Sequence, residues 1–214
     1  MAKQDLTLES LSECFTFTVN KLNDVVQYAV FFGTLLGIYR NKNLIKGDDD
    51  IDFLIHIEDK QKIINIFKNS KLEINQELNI NQSKYFLQGQ YKYKDSVCLV
   101  DFYFYETLNS KKVILKSFRG PVQHKKRYWL YFDNLDLFPF RKFETKNLGT
   151  FTIPNNSQKI INHLYGPYWQ IKMPKKDYLL FFFRNKPRFI KTKIFVKPVK
   201  LFARNLRKVF KIEN

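Results

Sequence analysis

Asp48, Asp49, Asp50 and Asp52 put four carboxylates into five residues, and the apolar run Phe53-Leu54-Ile55 follows at once. Crowded anions repel one another, so a chain that folds around them needs a positive partner to hold them together. The apolar run pulls the block toward a core. In a strand, residues two apart share a face. A strand over 51–57 therefore aims Asp50 and Asp52 at one point while Ile51 packs inward. The fold must supply a strand, a core behind it and a place for a cation at its mouth.

A further acid, Asp101, sits inside Val97-Cys98-Leu99-Val100-Asp101-Phe102-Tyr103-Phe104, a second strand pattern. A carboxylate among apolar neighbours is costly to bury unless it is paired or bound to a metal. If the two strands are neighbours, Asp50, Asp52 and Asp101 form a three-carboxylate cage suited to Mg²⁺ or Mn²⁺, which would hold the phosphates of a nucleotide substrate. Upstream, Gly33-Thr34 ends an apolar run over 28–32, and a Gly beside a small hydroxyl residue lets phosphate approach backbone amides. Other readings stay open. A run of three Asp can be a solvated turn, and a glycosyltransferase Asp-x-Asp also holds a metal and a nucleotide diphosphate. An EF-hand fits badly, because Phe53 falls where its loop needs Gly and Asp59 where it needs Glu.

The remaining pattern is mixed α/β. Leu8, Leu11, Phe15, Val19, Leu22 and Val26 recur at helical steps. Residues 35–40 can form one or two helical turns, and 58–69 a helix with Ile63, Ile64 and Phe67 on one face. Strands are predicted near 72–78, 84–93 and 97–105, with Lys94-Asp95-Ser96 as a turn. Asn156 or Ser157 can cap a helix that stops at Gly166-Pro167. Helices and strands alternating in this way specify a mixed sheet flanked by helices.

Composition limits the class of protein. The 214 residues suffice for one sizeable core. The N-terminus lacks the layout of a signal peptide, and no apolar run approaches the length of a membrane span. Cys14 and Cys98 lack metal-site spacing and read as reduced core thiols. A cytoplasmic protein is expected. Of the net charge of +17, residues 184–214 carry +10, from 11 Lys/Arg and the single acid Glu213. Phe195, Val199, Phe202, Leu206 and Val209 follow helical spacing there, among Lys197, Lys200, Arg204, Arg207, Lys208 and Lys211. A basic helix of this kind suits an anionic membrane surface, which would make the protein peripheral at the inner membrane face. A helix packed on the domain, or a tail gripping nucleic acid, are the alternatives; no nucleic acid is expected. The division is a catalytic domain over 1–183 and a basic tail over 184–214.

Gly33-Thr34-Leu35-Leu36-Gly37 with Arg40, then Asp48 to Asp52, and later Val100-Asp101-Phe102, resemble the LicD/fukutin family, a branch of the nucleotidyltransferase superfamily. Phe138-Pro139, Phe143-Glu144, Gly149, Ile153-Pro154-Asn155, Leu164-Tyr165-Gly166 and Trp169 extend the resemblance in order. It implies a nucleotidyltransferase-like core and transfer of a phospho-alcohol, such as phosphocholine, ribitol phosphate or glycerol phosphate, from a CDP-linked alcohol donor. The acceptor would be a hydroxyl of a cell-surface glycan or its lipid-linked precursor. On that resemblance Asp50, Asp52 and Asp101 are the metal ligands and catalytic acids, with Asp101 favoured to take the acceptor proton. Gly33, Thr34, Arg40, Asp49 and Glu144 are the substrate-binding candidates, Arg40 as a phosphate clamp. Asp48, like Asp49, can also shape the loop. Many family members carry Pro-Trp before the acids where this chain has Lys46-Gly47, which removes an aromatic from the donor side. His124 reads as a loop residue, His163 as structural, and Tyr165 and Trp169 as core aromatics.

Overall fold

The computed structural model describes residues 6–74, 85–117 and 128–172. His124, the end of the expected 72–78 strand and the whole basic tail lie outside the described residues. Helix α1 (Leu8–Leu22) starts where Thr7 Oγ1 accepts from Ser10 N at 3.1 Å. It buries the stripe Leu11, Cys14, Phe15, Thr18, Val19 and Leu22, ending before Val26. Strand β1 (Tyr28–Val30) is short, and α2 (Phe32–Asn41) follows almost directly. Gly33-Thr34 therefore does not close a strand; it forms the first turn of a helix. Strand β2 (Asp50–His56) leads through one 3₁₀ turn into α3 (Lys60–Phe67) and β3 (Leu72–Ile74). Then come β4 (Phe86–Tyr93), β5 (Ser96–Asn109), β6 (Lys112–Ser117), β7 (Tyr128–Asp133) and the single turn α4 (Asn134–Leu137). The hairpin β8 (Arg141–Thr145) and β9 (Gly149–Ile153) precedes α5 (Ser157–Tyr165). Asn156 caps α5, its Oδ1 accepting from Lys159 N at 3.2 Å, and Gly166 ends it.

A mixed seven-stranded sheet carries this architecture. Its order is β1-β2-β5-β4-β3, with β6 on the far half of β5 and β7 beyond it. Strands β2 and β5 run parallel and every other pairing is antiparallel. Both central strands are apolar through most of their length because helices cover both faces. On one face Phe53 and Phe102 stack, with Phe15 of α1 at 6.1 Å from Phe53 and Phe67 of α3 at 5.5 Å from Phe102. Each ring fully buried in this way contributes roughly 1.5–3 kcal/mol. Alternation then turns Asp52, Asp101 and Tyr103 to the opposite face, where Phe32 of α2 meets the Tyr103 ring at 4.7 Å. The site is thus a consequence of which face carries the phenylalanines.

The segment joining α2 to β2 lies flat against the helix. A Cβ at Gly37 would stand 3.0 Å from Asn43 O and 3.1 Å from Ile45 N, both backbone atoms with no freedom to withdraw. Gly33, four residues earlier on the same face, meets the end of that segment. Without side chains at these two turns, the loop can bring Asp48 back to the start of the helix.

Two outcomes follow from this packing. Ala in place of Gly improves an α-helix by about 0.5–1 kcal/mol, but overpacking against backbone costs about 1–3 kcal/mol. We expect Gly37→Ala to lower stability by about 1–2 kcal/mol, read as a shifted urea midpoint. Cys14 and Cys98 are both buried and free, and burial followed by the neighbouring Cys98 pushes the Cys14 thiol up, away from the reactive thiolate. Ellman's reagent at pH 8 should react with neither cysteine in the folded protein and with both after unfolding.

Candidate active site

The start of α2 has no side-chain cap of its own, since its N-cap residue is Phe31. Asp52 supplies the missing acceptor from β2. Its Oδ2 lies 3.4 Å from Thr34 N, while Asp52 N donates to Thr34 Oγ1 at 2.8 Å and Phe31 N donates to Asp52 O at 3.0 Å. The carboxylate therefore sits against the positive end of the helix, a position that favours negative charge. Phe32 holds φ at 38°, an unusual conformation for a residue with a side chain. Gly33 is the close-approach point: a Cβ there would be 3.1 Å from Asp48 Oδ2 and 3.4 Å from Asp52 Oδ2.

Register completes the acidic cluster. Asp52 of β2 is paired with Asp101 of β5, and Asp50 stands two residues before Asp52 on the same face. One carboxylate oxygen from each of Asp50, Asp52 and Asp101 lies within 4.8 Å of the others. Asp52 and Asp101 are only 2% and 3% exposed. If all three are ionised, each pair repels by roughly 3 kcal/mol at an effective dielectric near ~20. Asp48, Asp49 and Asp50 offer a second set of oxygens equally close together. Asp49 also uses its backbone, with Leu99 N donating to Asp49 O at 3.1 Å and so tying the loop to β5. Around Asp101 two donors converge: Gln88 Nε2 reaches Oδ1 at 2.8 Å and the Tyr103 hydroxyl reaches Oδ2 at 3.2 Å. An all-oxygen donor set with two buried carboxylates fits a hard divalent cation.

The residues expected from the sequence divide by place. Gly33, Thr34, Asp49, Asp50, Asp52 and Asp101 meet at the α2 N-terminus and the mouth of β2. Arg40 stands in the last turn of α2, seven residues beyond Gly33 and on the same helix face, roughly 10 Å along the axis. Its Nε is buried and makes no hydrogen bond. Glu144 is exposed on β8, opposite Thr150 in the separate hairpin, and is not among the grouped acids. Trp169 is buried, its ring edge-on to Tyr39 at 5.6 Å, and Tyr165 packs against the core. His163 lies edge-on to Phe132 at 5.4 Å. Gln88, Tyr103 and the inward reach of Asp48 were not expected. Tyr103 could have been found, since it shares a strand face with Asp101, whereas Gln88 is polar among other polar residues of β4 and gives no local signal.

A family model described as LicD/FKTN/FKRP, nucleotidyltransferase domain, matches residues 25–156, more than half of the chain. The chain belongs to this LicD/FKTN/FKRP family. The matched span contains every acid of the cluster, the α2 N-terminus, Arg40 and Glu144. No curated protein sequence matches. Among solved structures, the chain is similar to the crystal structure of the lincosamide antibiotic adenylyltransferase LnuA with lincomycin bound. The identity is 11% and the TM-score 0.48, over 82% of this chain and 97% of that one. No helix among the described residues of this LicD/FKTN/FKRP-family chain is long and apolar enough to cross a membrane.

Crowded carboxylates that could hold a cation predict a crossed stability pattern. Asp52→Asn keeps an oxygen that can accept from Thr34 N but removes one charge from the buried group. In EDTA we expect Asp52→Asn to melt at or above wild type. With Mn²⁺ at about 100 times Kd, wild type should gain about 5–10 °C and the variant little. Differential scanning fluorimetry with both proteins in both buffers reads the effect.

Proposed function

We propose that this chain is a metal-dependent transferase that moves a phospho-alcohol from a CDP-linked donor to a hydroxyl of a cell-surface glycan or its lipid-linked precursor. The observation that carries this reading is the Asp50–Asp52–Asp101 oxygen cluster at the N-terminus of α2, within the span matched by the LicD/FKTN/FKRP family. Mg²⁺ or Mn²⁺ held by these three acids would supply Lewis-acid stabilisation of the donor pyrophosphate. Gly33 lets the Asp48 and Asp52 carboxylates approach the helix start, and Thr34 fixes the backbone of Asp52. Asp49 holds the loop onto β5 next to the same space.

In the reaction the acceptor oxygen forms a bond to the phosphorus that bears the alcohol. The bond from that phosphorus to the CMP oxygen breaks, CMP leaves with the electron pair, and the hydroxyl proton passes to a carboxylate. Asp101 already accepts hydrogen bonds at both oxygens from Gln88 and Tyr103. Asp50 is the most exposed of the three acids and so the one an acceptor hydroxyl can reach most readily. Arg40, a guanidinium with a buried Nε that no protein group satisfies, supports a role as an anion clamp for the far end of the donor. Glu144, outside the acid group, is the weakest of the substrate-contact proposals. The +10 charge of residues 184–214 supports attraction to an anionic membrane surface, where lipid-linked acceptors are found.

A donor panel tests this reading directly. CDP-choline, CDP-ribitol, CDP-glycerol and CDP-ethanolamine are incubated with Mn²⁺, with and without glycan extract, and CMP release is measured. We expect acceptor-dependent CMP from one donor and phosphorus retained in the product, which a glycosyltransferase would not give. Asp52→Asn should reduce the rate at least ~100-fold. Arg40→Ala should raise the donor KM about 10-fold or more, with Arg40→Lys restoring little because the fork geometry is lost. No CMP from any donor, with acceptor present, defeats the proposal.

A further inference from the structure

Asp52, Asp101 and Gln88 form one transverse row across three adjacent strands, since Asp52 pairs with Asp101 and Asp101 pairs with Gln88. Paired residues across neighbouring strands project from the same face, so the row alternates acid, acid, amide. The Gln88 nitrogen lies 2.8 Å from Asp101 Oδ1. A carboxylate only accepts, so the amide must present its NH₂ to it. On the other oxygen, the Tyr103 hydroxyl sits at 3.2 Å. Tyr103 is fully buried, and its ring is held between Phe32 at 4.7 Å and Phe86 at 5.2 Å. Two neutral donors thus grip the two oxygens of one buried acid from opposite sides.

We infer that Gln88 and Tyr103 are positioning residues that set the orientation of Asp101 for a divalent cation; this rests on the metal reading of the site proposed above. The choice of donors is physically specific. A Lys or Arg in the row would bind the same oxygens but would neutralise the cluster and compete with the cation. An amide and a phenol hold the carboxylate while leaving its charge in place. Each takes up one lone-pair direction, Gln88 on Oδ1 and Tyr103 on Oδ2. Tyr103 also ties this arrangement to the start of α2, because its ring packs on Phe32, whose φ of 38° marks the strained first residue of that helix. Partners that orient metal-binding side chains typically govern metal affinity by 10–100-fold when removed.

Mn²⁺ titration calorimetry on the full chain, together with melting in EDTA, tests the inference without reference to turnover. Gln88→Met keeps the length and removes the donor, and Tyr103→Phe removes only the hydroxyl. Gln90→Met, two residues along β4 on the same face, is the control. We expect Gln88→Met and Tyr103→Phe each to raise the Mn²⁺ Kd about 10-fold or more, with Gln90→Met unchanged. The double variant should lose less than the product of the two single losses, because both donors act on one carboxylate. If Gln88→Met does not fold, the Tyr103→Phe titration decides alone. Wild-type Kd in Gln88→Met and Tyr103→Phe, with only the EDTA melting temperature lowered, would show a purely structural role and overturn the inference. Failure of wild type itself to bind Mn²⁺ at millimolar concentration would overturn the metal reading and this inference with it.

Discussion

The reciprocal contact between Thr34 and Asp52 is the joint on which the site depends. Asp52 N donates to the Thr34 hydroxyl, and Thr34 N faces the Asp52 carboxylate, so a helix end and a strand satisfy each other's unpaired groups. A helix with Phe31 as its N-cap and no capping side chain would otherwise leave donors buried and unsatisfied. The contact does three things at once: it caps α2, fixes the height of β2 against it, and holds the Asp52 carboxylate at the positive end of the helix. Parallel pairing of β2 with β5 then carries Asp101 into line.

Two opposing demands meet at this joint. Like charges push the acids apart, while the core behind them, built on Phe15, Phe53, Phe67 and Phe102, allows β2 and β5 no lateral freedom. The loop between α2 and β2 is pressed onto Gly37, and the Asp48 carboxylate comes close to Gly33. Carboxylates held within 4.8 Å of one another repel, and they form a group that could hold a divalent cation.

Much of this was readable along the chain. The strands through 51–57 and 97–105, the helix capped by Asn156 and the buried thiols follow from local periodicity and from capping chemistry. The helix start was misplaced by the sequence, because Phe31-Phe32 reads as strand and Phe32 adopts a conformation that no propensity anticipates. Arg40 was legible as a helix-end residue, and it does stand in the last turn of α2; the burial of its Nε without a hydrogen bond was not legible. Glu144 resembled a site acid by its neighbours in sequence, yet it occupies an exposed strand of a separate hairpin. Gln88 was invisible, since an amide among polar strand residues says nothing until its neighbour is known.

The sequence by itself determined which acids could act together along one strand, because alternation is a local property with a period of two. It also determined that Asp101 needed company, since an acid in an apolar strand carries its own cost. Only the tertiary structure decided that β5 lies beside β2 in the register that sets Asp101 against Asp52, and that β4 follows with Gln88. The physical reason is that strand order and register arise from the packing of whole faces against α1, α2 and α3. That energy is summed over residues far apart in the chain and leaves no mark at any one position.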